Sequence, residues 1–131
     1  MTESEEAARA ALAAYLAAWN SADVAAWRET MNYPHIGLGP RGEVRIEQTA
    51  ADVLDPFPGI RQHEGWHTST QEEFTVIGSS PTKVHCQVIT KRFHADGTPY
   101  ARFLSFYILT EQNGHWGVQF SSGLPAPPAP A

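Results

Sequence analysis

The first thirty residues carry two stretches with the apolar period of an amphipathic helix. Thr2 and Glu5 have the spacing of a capping box, and an Ala-rich stretch without a helix breaker follows. Apolar side chains then recur at helical spacing, at Leu12, Tyr15, Leu16 and Trp19. After the stop-and-cap sequence NSAD, a second short helix is predicted, with Val24, Trp27 and Met31 on its apolar face. The chain therefore begins as a helical hairpin.

Proline and glycine interrupt the middle of the chain. Pro34 is expected to end the helical region, and the residues from Ile36 to Ile46 alternate in an extended pattern across a Gly- and Pro-containing turn. Thr49 is expected to cap a brief helix that continues to Leu54 and that Pro56 ends. This part therefore predicts short elements between the helical hairpin and the strands that follow.

The second half of the chain is predicted to be strand. Four long runs have strand character, namely Trp66–Ile77, Lys83–Phe93, Tyr100–Thr110 and Trp116–Ser121. Short turns connect them, which indicates an antiparallel meander. Helices followed by such a sheet predict an α+β fold with one domain over residues 1–123. The Pro- and Ala-rich residues 124–131 are expected to form an extended or disordered tail.

Composition excludes several classes of protein. Apolar residues make up 42% of the 131 residues, which excludes a disordered class for the body of the chain. The net charge of −5 argues against a nucleic-acid partner, and the longest apolar runs are too short for a membrane helix. The single cysteine excludes a disulfide framework. The N-terminus does not resemble a signal peptide, so a cytoplasmic location is expected.

Both faces of the late strands are apolar to different degrees. One face is almost purely apolar, and it comprises Val84, Cys86, Val88, Leu104, Phe106, Ile108, Trp116, Val118 and Phe120. The other face mixes apolar and uncharged polar groups, and it comprises His85, Gln87, Ile89, Phe103, Ser105, Tyr107, Leu109, Gly117, Gln119 and Ser121. We expect the mixed face to line a pocket under the helices and the apolar face to pack against a second copy in a homodimer.

Two segments resemble a known superfamily. The first helix and turn, AAYLAAWNSADVAAW, and the terminal hairpin, FLSFYILTEQNGHWGVQFSSG, are similar to nuclear transport factor 2-like (SnoaL-like) proteins, and the resemblance covers residues 5–123. The segments NYPHIGL, GWHTS and NGHWGVQFSS also resemble uncharacterised bacterial members. The resemblance implies a cone in which a curved antiparallel sheet wraps around N-terminal helices, and dimerisation through the sheet is common in such proteins. Because these proteins include isomerases, cyclases, dehydratases and non-catalytic members, the fold leaves the chemistry open.

The resemblance allows the acids of steroid isomerases to be tested by position. Tyr15 occupies the position of their helical tyrosine. The position of their carboxylate base holds Gly39, and that of their second acid falls near Ser105 or Phe106, so both acids are missing. Steroid isomerase chemistry is therefore not expected, and no Asp–Arg–Asp set of the epoxide hydrolase kind lies on the mixed face.

A second comparison concerns anionic ligands. The segment FHADGTPYARFLSFYILTEQNGHW resembles the association domain of calcium/calmodulin-dependent kinases, which carries arginines on its pocket strands. The matching positions hold Ile89 and Tyr107, which argues against an anionic ligand. Arg92 and Arg102 are expected at the surface or the rim of the pocket.

The sequence HEGWH matches the HExxH pattern of zinc proteases. That chemistry needs His63 and His67 one turn apart on the same helix, but Gly65 lies between them and strand-forming residues follow. We interpret the match as coincidence and expect neither a metal nor another cofactor.

Three side chains are candidates for catalysis. His35 and His67 are candidate general bases, and Tyr15 is a candidate hydrogen-bond donor; the alternative for each is a structural role in the core. Six further residues are expected to line the ligand site, namely Trp66, Gln87, Phe103, Ser105, Tyr107 and Gln119. Cys86 is expected to be a buried small apolar side chain.

Two functions remain open from the sequence. The first is a protein that binds a small hydrophobic or weakly polar ligand in an aromatic-rich cavity, with cofactor-free acid–base chemistry as a further option. The second is a binding or assembly module without chemistry. A cavity favours the first, whereas a filled core favours the second.

Overall fold

The computed structural model describes residues 1–127, which form three α-helices and six strands. In chain order these are α1 (Glu3–Asn20), α2 (Val24–Arg28), β1 (Met31–Leu38), β2 (Val44–Glu47), α3 (Phe57–Glu64), β3 (Thr68–Ser80), β4 (Lys83–Phe93), β5 (Pro99–Gln112) and β6 (His115–Pro125). A single 3₁₀ turn (Ala50–Asp52) lies between β2 and α3. No helix in the described part of the chain is long and apolar enough to cross a lipid bilayer.

Side-chain caps fix the starts of the first two helices, as the sequence predicts. The Thr2 hydroxyl accepts a hydrogen bond from the Glu5 N–H at 3.2 Å, and the Asp23 carboxylate accepts from the Ala25 N–H at 3.0 Å. The prediction that Met31 lies in the second helix is wrong. Met31 begins β1, where it pairs with Val118 of β6, because sheet pairing takes the chain out of the helix directly after α2.

Helix α3 was not predicted from the sequence, because prolines were expected to end a helix there. Pro56 is instead the N-cap of α3, and Pro58 lies in its first turn, where the missing N–H has no helical partner to lose. Gly65 ends the helix in the left-handed conformation at φ 68°. The brief helix predicted after Thr49 is the 3₁₀ turn, and Thr49 is its N-cap.

The strands form one sheet in the order β2-β1-β6-β5-β4-β3. Strands β3 to β6 are the predicted antiparallel meander, whereas β1 pairs in parallel with β6. The α+β fold class is thereby confirmed, with a mixed rather than purely antiparallel sheet. Strand β6 continues to Pro125, which pairs with Phe103, so residues 124 and 125 belong to the sheet and not to the predicted tail. Residues 126 and 127 follow the strand, and the Ala126 N–H donates to the Arg102 carbonyl at 2.9 Å. The rest of the predicted tail, residues 128–131, lies outside the described residues.

Helix α1 covers one face of the sheet. Ala8 and Leu12 are buried there in the main apolar core, together with Val84, Cys86, Val88, Tyr107, Leu109 and Val118. The predicted division of faces is therefore wrong for β4 and for Val118 of β6, because Val84, Cys86, Val88 and Val118 pack under the helix. Cys86 is buried as expected, and this burial raises the pKa of its thiol to about 12.

The opposite face of the sheet also carries apolar side chains. Phe106 pairs in register with Gln87, and its ring lies 6.1 Å from that of Phe120. Leu104 and Ile108 alternate with the helix-facing residues of β5 and therefore share this outer face. Leu104, Phe106 and Ile108 are half-buried in the single chain. The homodimer through this face stays a prediction, as does the cytoplasmic location.

Candidate functional site

A cavity of about 240 Å³ lies between the C-terminal half of α1 and the sheet. Its lining comprises Tyr15, Leu16, Trp19, Leu38, Pro40, Ser69, Gln71, Thr90, Arg92, Phe103, Ser105, Tyr107, Ser121, Ser122 and Gly123. The space opens because α1 seals the sheet only along its first half. Ala8 and Leu12 are fully packed, whereas Tyr15 and Trp19 are half-buried.

Packed aromatic rings form one wall of the cavity. The Trp19 ring lies 4.9 Å from that of Phe57 and 5.5 Å from that of Trp66. Both indole N–H groups donate to the Ser69 hydroxyl, from Trp19 at 3.2 Å and from Trp66 at 2.9 Å. Trp66 is buried and does not belong to the lining, so it acts on the cavity only by holding Ser69 and Trp19.

Two tyrosines of the lining pack against each other, Tyr15 from α1 and Tyr107 from β5. The Tyr15 and Tyr107 rings meet edge to face, with centroids 5.6 Å apart. The Gln71 amide donates to the Tyr107 hydroxyl at 3.0 Å, and Thr90 and Ser105 share a hydrogen bond of 2.9 Å. Burial raises the pKa of both tyrosines above the ordinary value of 10. Both phenols therefore keep their protons at neutral pH and can donate hydrogen bonds.

Arg92 is the cation in the lining, whereas the sequence predicted it at the surface or the rim of the pocket. Its Nη1 donates to the Glu64 carboxylate at 2.8 Å, and its guanidinium carbon lies 4.9 Å from the centroid of the Phe103 ring and 5.8 Å from that of Trp19. Its side chain is 23% exposed. The period of two along β4 was the available signal, since Arg92 shares the helix-facing parity of Val88.

Three of the six expected ligand-site residues line the cavity, namely Phe103, Ser105 and Tyr107. Gln87 does not, because it pairs with Phe106 on the outer face. Gln119 does not either. It is itself the extra residue of an irregularity in β6: Val118 and Phe120 pair with neighbouring residues of β5, and Gln119 between them has no pairing partner there. Its amide instead donates to the Pro34 carbonyl at 3.1 Å and accepts from the Thr110 hydroxyl at 2.7 Å.

The two candidate histidines lie outside the cavity lining. His67 is exposed before β3, so its predicted place in the cavity is wrong. His35 is buried in β1, with its Nδ1 3.6 Å from the Glu47 carboxylate. The Arg45 Nε donates to the same carboxylate oxygen at 2.9 Å. Burial lowers the pKa of His35, and the Glu47 carboxylate opposes this shift. Tyr15, the third candidate, does line the cavity.

The HEGWH motif does not form a metal site of the protease kind. Helix α3 ends at Glu64, so His63 and His67 do not share a helix. Glu64 binds Arg92 and accepts a hydrogen bond from the Tyr100 hydroxyl at 2.9 Å. Within residues 1–127, no three His, Cys, Asp or Glu side chains are grouped closely enough to hold a metal ion.

Comparison with known proteins identifies the family. A family model described as "NTF2-like protein (DUF6841)" matches residues 4–122. The chain belongs to this NTF2-like family. The predicted resemblance is thereby confirmed. Among curated proteins, none matches the sequence of this NTF2-like protein.

Solved structures share the fold at low sequence identity. A protein of unknown function with a cystatin-like fold from Nostoc punctiforme has a TM-score of 0.76 at 12% identity, over 99% of this chain and 97% of that one. A ketosteroid isomerase-like protein from Erwinia carotovora has a TM-score of 0.74 at 19% identity, over 98% and 100%. An NTF2-like protein from Cytophaga hutchinsonii has a TM-score of 0.72 at 13% identity, over 96% and 100%. These likenesses show the fold alone.

Proposed function

We propose that this NTF2-like protein binds a small, largely apolar molecule in the cavity under α1. The observation that carries the proposal is the cavity itself, since an assembly module needs no space in its core. Pockets for small molecules are typically apolar and aromatic with a few placed polar groups, and the Trp19 and Phe103 walls with the Ser69, Gln71 and Tyr107 polar groups match that description.

The lining supports binding better than proton transfer. None of the described residues that line the cavity is an Asp, a Glu or a His. A general base would have to lie within hydrogen-bond reach of the bound molecule. His35 and His67 do not line the cavity, and the raised pKa values of Tyr15 and Tyr107 make these phenols donors rather than bases. We therefore propose a binding protein without acid–base chemistry.

The test narrows the cavity at one position. A side chain added at Gly123 would meet no heavy atom within 4 Å, and Gly123 lines the cavity. Gly123→Val should therefore fill part of the cavity without a steric clash. Gly78→Val is the matched control, because Gly78 is also a strand residue with open space around it but lies outside the lining.

Binding can be measured by ligand-observed NMR with a set of small aromatic fragments, including indole and phenylacetamide. We expect at least one fragment to bind the native protein and the Gly78→Val variant, and to bind Gly123→Val much more weakly. If no fragment binds the native protein, or if Gly123→Val binds as well as the native protein does, the proposal is wrong. The native mass of gently purified protein, compared with its denatured mass, would identify any natural ligand retained through purification.

We also propose that a second copy of the chain covers the outer face of the sheet. The outer-face stretch around Phe106 carries no formal charge at pH 7, and it comprises His85, Gln87, Leu104, Ile108 and Phe120. Two chains of net charge −5 repel each other, so a neutral apolar surface is where they can meet. These side chains are half-buried in the single chain, and a second copy would bury the rest of their apolar surface.

Light scattering at micromolar concentration tests this interface. We expect a mass of twice 14.4 kDa for the native protein and a monomer for Phe106→Glu. Leu54→Glu is the matched control, since Leu54 is a highly exposed apolar residue outside the sheet, and it should stay dimeric. A native monomer would contradict the proposal.

A further inference from the structure

Three polar groups of the cavity lining, Ser69, Tyr107 and Arg92, offer hydrogen-bond donors. The Ser69 hydroxyl oxygen already accepts from two indole N–H groups, which leaves its own O–H to donate. The protonated Tyr107 hydroxyl accepts from Gln71, so it too is left with a proton to donate. Arg92 can only donate. A bound molecule that satisfies these groups must therefore bring acceptors.

Arg92 has donors left for such an acceptor. Among residues 1–127, the Arg92 guanidinium makes one hydrogen bond, from Nη1 to the Glu64 carboxylate. A guanidinium carries five N–H donors. The group lies against the faces of Phe103 and Trp19, which fixes its position and leaves its edge for hydrogen bonds. A planar carboxylate matches that edge with two parallel bonds.

We propose that the ligand of this cavity carries a carboxylate and that Arg92 binds it. The inference rests on the proposed binding function and names the chemical class of its ligand. The volume of about 240 Å³ corresponds to roughly eight waters, which suits one ring with a short acidic side chain. The aromatic wall at Trp19 and Phe103 would contact the ring, and the guanidinium would bind the acid.

Glu64 determines how strongly the site can bind an anion. Its carboxylate binds the guanidinium and is itself held by the Tyr100 hydroxyl at 2.9 Å. Glu64 therefore neutralises part of the Arg92 charge and competes with a ligand carboxylate for the same donors. Glu64→Gln keeps an oxygen for Tyr100 and removes the competing charge. This variant should strengthen the binding of an acid without affecting a neutral ligand.

The test uses phenylacetate and phenylacetamide, which share their shape and differ in charge. Affinities are measured by NMR titration for the native protein, Arg92→Met, Arg92→Lys and Glu64→Gln. We expect the native protein to bind the acid roughly ten- to a hundredfold more tightly than the amide, as for a hydrogen bond to a charged group. Arg92→Met should abolish this preference, and Arg92→Lys should keep only part of it because it lacks the planar fork. Glu64→Gln should tighten acid binding several-fold.

The outcomes separate this inference from the proposed function. If the acid and the amide bind the native protein equally and Gly123→Val weakens both, the cavity binds small molecules but Arg92 does not recognise a carboxylate. If Arg92→Met fails to fold, unchanged acid binding in Glu64→Gln overturns the inference instead. If neither probe nor any other fragment binds the native protein, the inference and the proposed function both fail.

Discussion

Acidification should destabilise this protein through one buried histidine. His35 is 1% exposed, and burial lowers the pKa of its imidazole below the ordinary value of 6.5, although the Glu47 carboxylate opposes the shift and Arg45 adds to it. The folded chain therefore binds a proton at this site less tightly than the unfolded chain does. The stability that neutral His35 contributes is complete above pH 6.5 and is lost as the pH falls toward the folded-state pKa.

The size of the effect has an upper bound. One histidine that takes up a proton only in the unfolded chain changes the free energy of unfolding by at most about 1.4 kcal/mol between pH 7.5 and pH 5.5. Over this range most carboxylates stay ionised, so histidines dominate the change. The expected loss lies below that bound, since Glu47 stabilises the imidazolium in part.

Urea unfolding at the two pH values measures the loss. His35→Gln keeps a polar side chain opposite Glu47 but does not titrate, so its stability should fall less between pH 7.5 and pH 5.5 than that of the native protein. His67→Gln is the control, because His67 is exposed and its replacement should leave the native pH dependence in place. The comparison uses the change with pH, so an overall loss of stability in His35→Gln does not affect it. Equal falls in the native protein and His35→Gln would refute the reasoning.

Two further substitutions test the packing around the site. Gly117→Ala should destabilise the fold by about 1–3 kcal/mol, because its methyl group would lie 2.9 Å from the backbone of β1. In the control Gly78→Ala, the methyl group meets no atom within 4 Å. Equal urea midpoints for the two variants would contradict this prediction. Ser69→Ala should lower the free energy of unfolding by about 1–3 kcal/mol, because the indole N–H groups of Trp19 and Trp66 lose their acceptor. Thermal unfolding measures the loss, and an unchanged midpoint would show that these hydrogen bonds contribute nothing to stability.

The sequence was sufficient to predict the elements that have a clear local signal. Helix α1 has a capping box and an uninterrupted apolar period, and both appear in the structure. The meander has short turns between long strands, which leaves little choice of topology. The parallel pair of β1 and β6 has no such local signal, because its partners are separated by most of the chain.

The division of the sheet into faces could not be predicted reliably. Alternation identifies a buried face only when the other face is polar, and here Val84, Val88, Leu104 and Phe106 make both faces apolar. The relative parity of β4 and β5 depends on a register that only the folded sheet fixes. It places Gln87 opposite Phe106 and therefore away from the cavity. The irregularity in β6 at Gln119 likewise takes that side chain away from the cavity, and the sequence has no signal for it.

Arg92 was predicted at the surface or the rim, and not as a ligand-site residue, for a related reason. An arginine near the end of a strand is usually exposed, and nothing in the sequence shows that α3 and the end of α1 will enclose it. Its neighbours Glu64 and Trp19 come from two different helices and lie far away along the chain. Side chains that meet only through tertiary packing leave no spacing in the sequence from which a site can be predicted.

The position of Arg92 leads to an unusual expectation for the salt dependence of binding. Contacts between an anion and an exposed arginine weaken as salt is added, because the charges are screened. Here the chain carries a net charge of −5 and repels an anion at long range, whereas Arg92 is largely enclosed and would bind at hydrogen-bond distance. Salt screens the long-range repulsion more than the short contact, since the Debye length is about 10 Å at 0.1 M.

The affinity for phenylacetate should therefore stay constant or rise slightly between about 20 and 200 mM salt, a range in which the Debye length falls several-fold. NMR titration at both salt concentrations measures it, with phenylacetamide as the neutral control that salt leaves unchanged. A marked loss of phenylacetate affinity at the higher concentration would mean that the acid binds an exposed cation. The carboxylate would then lie outside the enclosed edge of Arg92, and the cavity would have to be a site for neutral ligands.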